Sequence, residues 1–252
     1  MRGSHHFVIG ASHEVCEDYA YSTDDFAALS DGCSVVKGPD GKRREAHTDV
    51  GSRLLVRAAF HHREEGRPDL LARLAIHTAD GYQRSMDLGA DTLSATLACL
   101  RIRDGEMFGQ IIGDGVLAVR REGEWSVWAW TFDPIPYYPR YILSSSQPET
   151  VVSVTEVVIG DIVPFTETTP FPMGMMWGPG CELMVAISDG AFSFTKDSKS
   201  VPFDSELALR LLDFRRMGGK FMVRHLRGVL KELAEDGIVN QDDISMVALY
   251  RG

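Results

Sequence analysis

The feature that most constrains the fold of this 252-residue chain is a set of acidic residues, far apart in sequence, each set at the end of an apolar run or leading into one. Glu17-Asp18 stands in Cys16-Glu17-Asp18-Tyr19, and Asp31-Gly32 follows Phe26-Ala27-Ala28-Leu29-Ser30. Asp114 follows Ile111-Ile112-Gly113, Asp189-Gly190 follows Leu183 to Ser188, and Asp242-Asp243 precedes Ile244 to Tyr250. Carboxylates brought together at strand ends repel one another and are costly to desolvate unless a cation neutralises them, so the pattern points to a divalent-metal site. Metal-assisted hydrolysis is the chemistry such a site supports. Asp-Gly is also a common turn dipeptide, and Asp40, Asp80, Asp104 and Asp236 supply other examples. Those four have polar or charged neighbours, whereas Asp31, Asp114 and Asp189 end runs that carry no charge.

Nothing like a Pro/Ser/Gly-rich linker divides the chain, so residues 1–252 are expected to form a single domain. A hydrophobic share of 44% and a charged share of 25% suit a soluble globular protein, and no apolar stretch approaches the ~20 residues of a membrane span. The formal charge of −10 disfavours a nucleic-acid partner, since phosphate-backbone binders carry clustered Lys and Arg. The small basic run Lys42-Arg43-Arg44 lies in a Gly/Pro loop and reads as solvated surface. Cys16, Cys33, Cys99 and Cys181 show no CxxC spacing and no secretory signal precedes them, which fits a reducing cytoplasm. The opening Met1 to His6 has the look of an expression tag and is left out of the functional argument.

Apolar runs bounded by Gly, Asp and Asn predict strands at about 7–11, 25–30, 93–102, 107–113, 115–121, 125–130, 183–188 and 244–250. Helical spacing of Val50, Leu54, Leu55 and Ala58, of Leu71, Leu74, Ala75 and Thr78, and of Met222, Leu226, Val229, Leu230 and Leu233 predicts three helices, with a short one at 205–216. Strand groups interrupted by helix pairs argue for an α+β fold with sheets buried between helices. Residues 131–182, with their many prolines and Met173, Met175, Met176 and Trp177, read as an irregular insertion with one strand near Val151 to Ile159. The insertion is a candidate for covering a site or contacting a partner.

The ordered set of motifs resembles the protein phosphatase 2C family of metal-dependent Ser/Thr phosphatases over nearly the whole chain. Its pieces are Gly10-Ala11-Ser12-His13 leading to Glu17-Asp18, Leu29-Ser30-Asp31-Gly32, Asp49-Val50-Gly51, Thr92 to Thr96, Ile112-Gly113-Asp114-Gly115, Ile187-Ser188-Asp189-Gly190, and Asn240 to Ser245. The Ser-His motif is similar to a bacterial branch. The resemblance implies a four-layer α-β-β-α sandwich of two antiparallel sheets flanked by helix pairs. It implies two Mn2+ or Mg2+ ions bridged by Asp31, with Asp189 and Asp242 holding the first and the Gly32 carbonyl and Glu17 serving the second. Asp18 would orient metal-bound waters, and a bridging hydroxide would attack the phosphorus of a phosphoserine or phosphothreonine in line. Asp114 would help to hold a third, weaker ion, although Gly115 and Val116 stand where the family has Ser and Arg.

Two departures bear on mechanism. His13 stands where many members carry an arginine that grips the substrate phosphate; it could donate to the phosphate or protonate the leaving oxygen, but it lacks a guanidinium fork. Cys33 replaces a histidine proposed in some relatives as general acid, and reads as small packing. The leading expectation is a phosphoprotein phosphatase. The alternatives are a catalytically weak relative that binds metal and a partner through 131–182, and a small-molecule phosphatase. No GxxxxGK[ST] loop supports nucleotide specificity.

Overall fold

Strands that are apolar on both faces need cover on both sides. The chain supplies it with two sheets packed face to face and a pair of helices outside each. The computed structural model describes residues 2–33, 36–37, 43–44, 46–133, 135–144, 151–158, 161–165, 173–178 and 180–252. In chain order, β1 (Arg2–Val8), β2 (Tyr19–Ser22), β3 (Phe26–Ser30), β4 (Val36–Lys37) and β5 (Arg43–Arg44) precede helices α1 (Thr48–His61) and α2 (Pro68–Ser85). Then come β6 (Leu97–Arg103), β7 (Glu106–Ile112), β8 (Gly115–Arg121), β9 (Glu124–Asp133), β10 (Val151–Val158), β11 (Asp161–Phe165), β12 (Met173–Gly178), β13 (Leu183–Ile187), β14 (Phe194–Lys196) and β15 (Lys199–Ser200). Helices α3 (Ser205–Leu212) and α4 (Phe221–Glu235), β16 (Ile238–Asn240) and β17 (Ile244–Tyr250) complete the chain.

The larger sheet has the order β1-β17-β13-β8-β9-β10-β11 and the smaller β12-β7-β6-β3-β2, and the described pairings are antiparallel. Alternation along each strand builds three apolar layers. Leu183, Val185 and Ile187 of β13 pack with α3 and α4, while Met184 and Ala186 face the other sheet. In β3, Phe26 and Ala28 pack with α1 and α2, while Ala27 and Leu29 point between the sheets. This is the four-layer α-β-β-α sandwich expected from the motifs.

Several expectations need correction. Residues 2–8 are structural: β1 is registered with β17 from Arg2↔Tyr250 to Val8↔Ile244, and the Ser4 hydroxyl accepts the Met222 N–H that opens α4 (3.1 Å). The strand predicted at 93–102 starts at Leu97, because Asp91, Thr92 and Ser94 close a 3-10 turn at Ala90–Leu93. Helix α3 stops at Leu212, where Asp213 turns out of helical geometry and Phe214 folds in edge-on against Phe221 at 5.8 Å. Among the described residues the insertion holds three strands, not one. Residues 151–158, rich in β-branched types, extend the larger sheet; β11 tolerates Pro164 because it is an edge strand. Much of 145–172, on which the partner-contact expectation rests, lies outside the described residues, as does Lys42 of the basic run.

Antiparallel order also sets where the acids emerge. Tyr19 pairs with Ser30, Leu97 with Ile112, and Ile187 with both Val116 and Met246, so all five acidic segments leave their strands at one end of the two sheets.

The layer of α3 and α4 is held by burial. Leu226 of α4 is fully buried, whereas Leu209 of α3 is 36% exposed. Leu226→Ala should cost about 2–5 kcal/mol and Leu209→Ala under about 1 kcal/mol, read from urea midpoints at unchanged slope; equal costs would contradict this layering.

Candidate active site

Each acid sits where a buried strand surfaces, and small hydroxyl side chains fix it. Asp18 is buried just before β2, and its Oδ2 accepts a hydrogen bond from the Ser188 hydroxyl at 2.9 Å. Ser188 Oγ in turn accepts the Ser245 N–H at 2.9 Å, so one serine links three strand ends. The Asp31 N–H donates to Thr96 Oγ1 and its carbonyl accepts the Thr96 N–H, at 3.1 and 2.7 Å. Glu17 is held from the N-terminus of α1: the Thr48 hydroxyl lies 3.2 Å from its Oε1 and the Ser52 hydroxyl 2.6 Å from its carbonyl. Gly32 lies against Glu17, Ser52 and the Thr48 carbonyl. Asp189 opens a 3-10 turn, and Gly190 passes so close to Asp243 that a Cβ would stand 1.9 Å from its carbonyl oxygen. Gly115, at φ 142°, begins β8 in a conformation that suits glycine and excludes the family's serine without strain.

The cluster is electrostatically tense. The Asp31 carboxyl lies within hydrogen-bonding reach of both Asp18 and Asp189. Burial raises Asp18 to about 6, Asp189 to about 7 and Asp114 to about 8. Burial, with Asp189 and Asp18 beside it, holds Asp31 well above the usual carboxylate range. Asp18 Oδ1, Asp114 Oδ1 and Asp189 Oδ1 are buried without hydrogen-bond partners. Clustered, desolvated, unsatisfied carboxylate oxygens are the donor set that hard divalent cations prefer. Among the described residues no three acidic, histidine or cysteine side chains already stand in a coordinating geometry. The carboxylates are instead engaged with one another and with His13.

His13 touches both members of the last motif: Nε2 lies 3.2 Å from Asp242 Oδ1, and Nδ1 lies 3.2 Å from Asp243 Oδ1 without making a hydrogen bond. Burial works against its charge, but Asp242, Asp243 and Glu17 outweigh it and raise its pKa.

Two residues carry more of the site than their sequence context suggested. Asp243 is buried, and its carboxylate accepts the N–H groups of Gly10 (2.8 Å) and Glu17 (2.6 Å), tying the 10–17 segment to β17. Tyr138 comes from the insertion; its hydroxyl bonds Cys33 and lies near Asp114 and Asp31, and burial pushes its pKa up. The paired acids hinted at Asp243, but nothing near Tyr138 in the chain marks its partner. Asp49, of the Asp49-Val50-Gly51 motif, pairs with Arg53 at 3.4 Å.

The raised carboxyls bind protons more tightly in the folded chain than in the unfolded one, so metal-free protein should lose stability as pH rises from about 4 through about 8. The raised His13 acts in the same direction, its favourable charge being lost as pH passes its folded pKa. Melting of metal-stripped protein across this range checks the sign, and a Tm that climbs steadily with pH would contradict it. Asp243→Asn, which weakens the anchor of Gly10 and Glu17, should lower Tm and loosen the 10–17 segment to proteolysis.

Comparison with known proteins bears on the fold and the family. A family model described as "Protein phosphatase 2C" matches residues 2–137. No curated protein matches. Among solved structures, the Mycobacterium tuberculosis serine/threonine phosphatase PstP/Ppp is 17% identical, with 99% of each chain covered and a TM-score of 0.56. A structure of the PstP catalytic domain in complex with two manganese ions is also 17% identical, covering 98% of this chain and 96% of that one at a TM-score of 0.55. The Ser-Thr phosphatase MsPP from Mycobacterium smegmatis, in complex with cacodylate, is 14% identical over 100% of this chain and 99% of its own, with a TM-score of 0.56. At these identities the structures establish a shared fold, and the family match covers more than half of the sequence. The chain belongs to the protein phosphatase 2C family.

Proposed function

We propose that residues 1–252 form a single catalytic domain of a Mn2+- or Mg2+-dependent phosphatase acting on phosphoserine and phosphothreonine in proteins, in a reducing cytoplasm that suits its four free cysteines. The observation that carries this reading is the contact of Asp31 with both Asp18 and Asp189 at the common end of the sheets. Asp31 would bridge two ions, with Asp189 and Asp242 on the first and Glu17 and the Gly32 carbonyl on the second; Asp114 would join Asp189 at a third. The PstP relative described with two manganese ions supports the count of two. When bound, the ions would supply an activated water and neutralise charge on the phosphoryl oxygens.

The chain's own groups do the positioning. Asp18, fixed by Ser188, accepts hydrogen bonds from water and so orients it for in-line attack. Asp243 holds the segment that carries Glu17 and His13. His13, whose pKa is raised by Asp242, Asp243 and Glu17, would deliver a proton to the leaving oxygen. Among the described residues no helix is long and apolar enough to cross a membrane.

The test is hydrolysis of p-nitrophenyl phosphate and a phosphothreonine peptide by metal-stripped protein titrated with Mn2+. Turnover should require the metal and vanish in Asp31→Asn, which should also bind Mn2+ more weakly by calorimetry; an unchanged rate would refute the binuclear assignment. His13→Ala should lower kcat by roughly 10²-fold and alter the alkaline limb of the pH profile. An unaltered profile would remove His13 from catalysis.

A further inference from the structure

A second polar site lies in the α3–α4 layer, away from the carboxylates. A cleft of about 440 Å³ opens between α3 and the first turns of α4. Arg210, Arg215, Arg216 and Arg224 line it, against only two carboxylates, Asp213 and Glu232. The chain as a whole carries a net charge of −10, so an arginine-rich lining here runs against its overall balance.

Local ion pairs do not account for all of it. Arg210 is committed to Asp236 at 2.8 Å, but Arg215 reaches Asp213 and Glu232 only at 3.6 and 3.8 Å, in exposed contacts of little energetic weight. Arg224 donates to the Gly218 carbonyl and Arg216 makes no ion pair among the described residues. Phe221 and Val229 supply an apolar floor. His225 is a fixed wall: its Nε2 lies 2.6 Å from the Leu211 carbonyl oxygen, and its ring is 4.1 Å from that of Phe214. Gly228 lies at an open edge of the cleft, where a Cβ would meet nothing within 4 Å.

We propose that this cleft binds a small organic polyphosphate of the nucleoside di- or triphosphate class. Its phosphates would be gripped by Arg215, Arg216 and Arg224, and its apolar part would rest on Phe221 and Val229. Arginine forks match phosphate oxygens two at a time, and the volume is that of a small-molecule pocket. The site is remote from the acids: α4 starts beside Ser4, in mid-strand, and the carboxylates gather past Val8 and before Ile244. It does not depend on the phosphatase reading.

Isothermal titration of metal-stripped protein with ATP, ADP and tripolyphosphate tests it, since turnover is then not the readout. ATP and ADP should bind, tripolyphosphate more weakly for want of an apolar part. The Arg216→Ala/Arg224→Ala double variant, which changes only exposed side chains, should bind at least tenfold more weakly, with its fold checked by circular dichroism. Arg84→Ala/Arg103→Ala removes the same charge elsewhere and should bind like the parent. No heat at millimolar ATP, an equal loss in both double variants, or tighter binding of an acidic peptide than of ATP would each overturn the proposal.

Discussion

The rest of the structure depends on the mutual repulsion and desolvation of carboxyls held at one end of two sheets. Asp18, Asp31 and Asp189 are close enough to share protons, and Asp114 and Asp242 lie within electrostatic reach of Asp189. Left to itself such a group would spread apart or face water. The fold prevents both, because Asp31, Asp114, Asp189 and Asp242 flank strands whose adjoining residues are buried on both faces, and residues such as Ser188 and Thr96 pin backbone or carboxyl by hydrogen bonds. The tension is therefore built into the scaffold. A bound cation would relieve it, which is why a site of this kind can be metastable alone and well ordered when loaded.

The final acidic pair shows how neighbouring identical residues divide labour. The bend that precedes β17 sends Asp242 and Asp243 to different surroundings: the first is partly exposed beside His13, and the second is buried among backbone N–H groups of Gly10 and Glu17. One is available to a ligand, and the other holds the loop that delivers Glu17. Ser12, whose hydroxyl bonds the Gln241 carbonyl, helps to hold the same loop, so the 10–17 and 240–243 segments behave as one unit.

Legibility followed the range of the interactions. The acid-ended runs could be read because burial on both faces excludes charge locally and the exit from a buried strand is where charge returns. Helices α1, α2 and α4 were readable from spacing for the same reason. The strands of the insertion were obscured by prolines, whose effect depends on whether a strand is an edge or a centre, and that is a tertiary property. The start of β1 has the look of an expression tag, yet pairing with β17 makes it part of the sheet. Tyr138 and the arginine cleft escaped because their partners are distant in the chain or, for Arg215, Arg216 and Arg224, spread over a turn and a helix with no periodic signature.

By itself the sequence determined the class of fold and the list of acids able to meet at a sheet end, since these follow from local hydrophobicity and residue chemistry. Tertiary structure decided which of those acids touch, that His13 bridges Asp242 and Asp243, that Asp243 serves the loop, and that Tyr138 leans on Cys33. The physical reason is that proton sharing, desolvation and hydrogen-bond partnership depend on distances of a few ångströms between segments that the chain separates by tens to hundreds of residues.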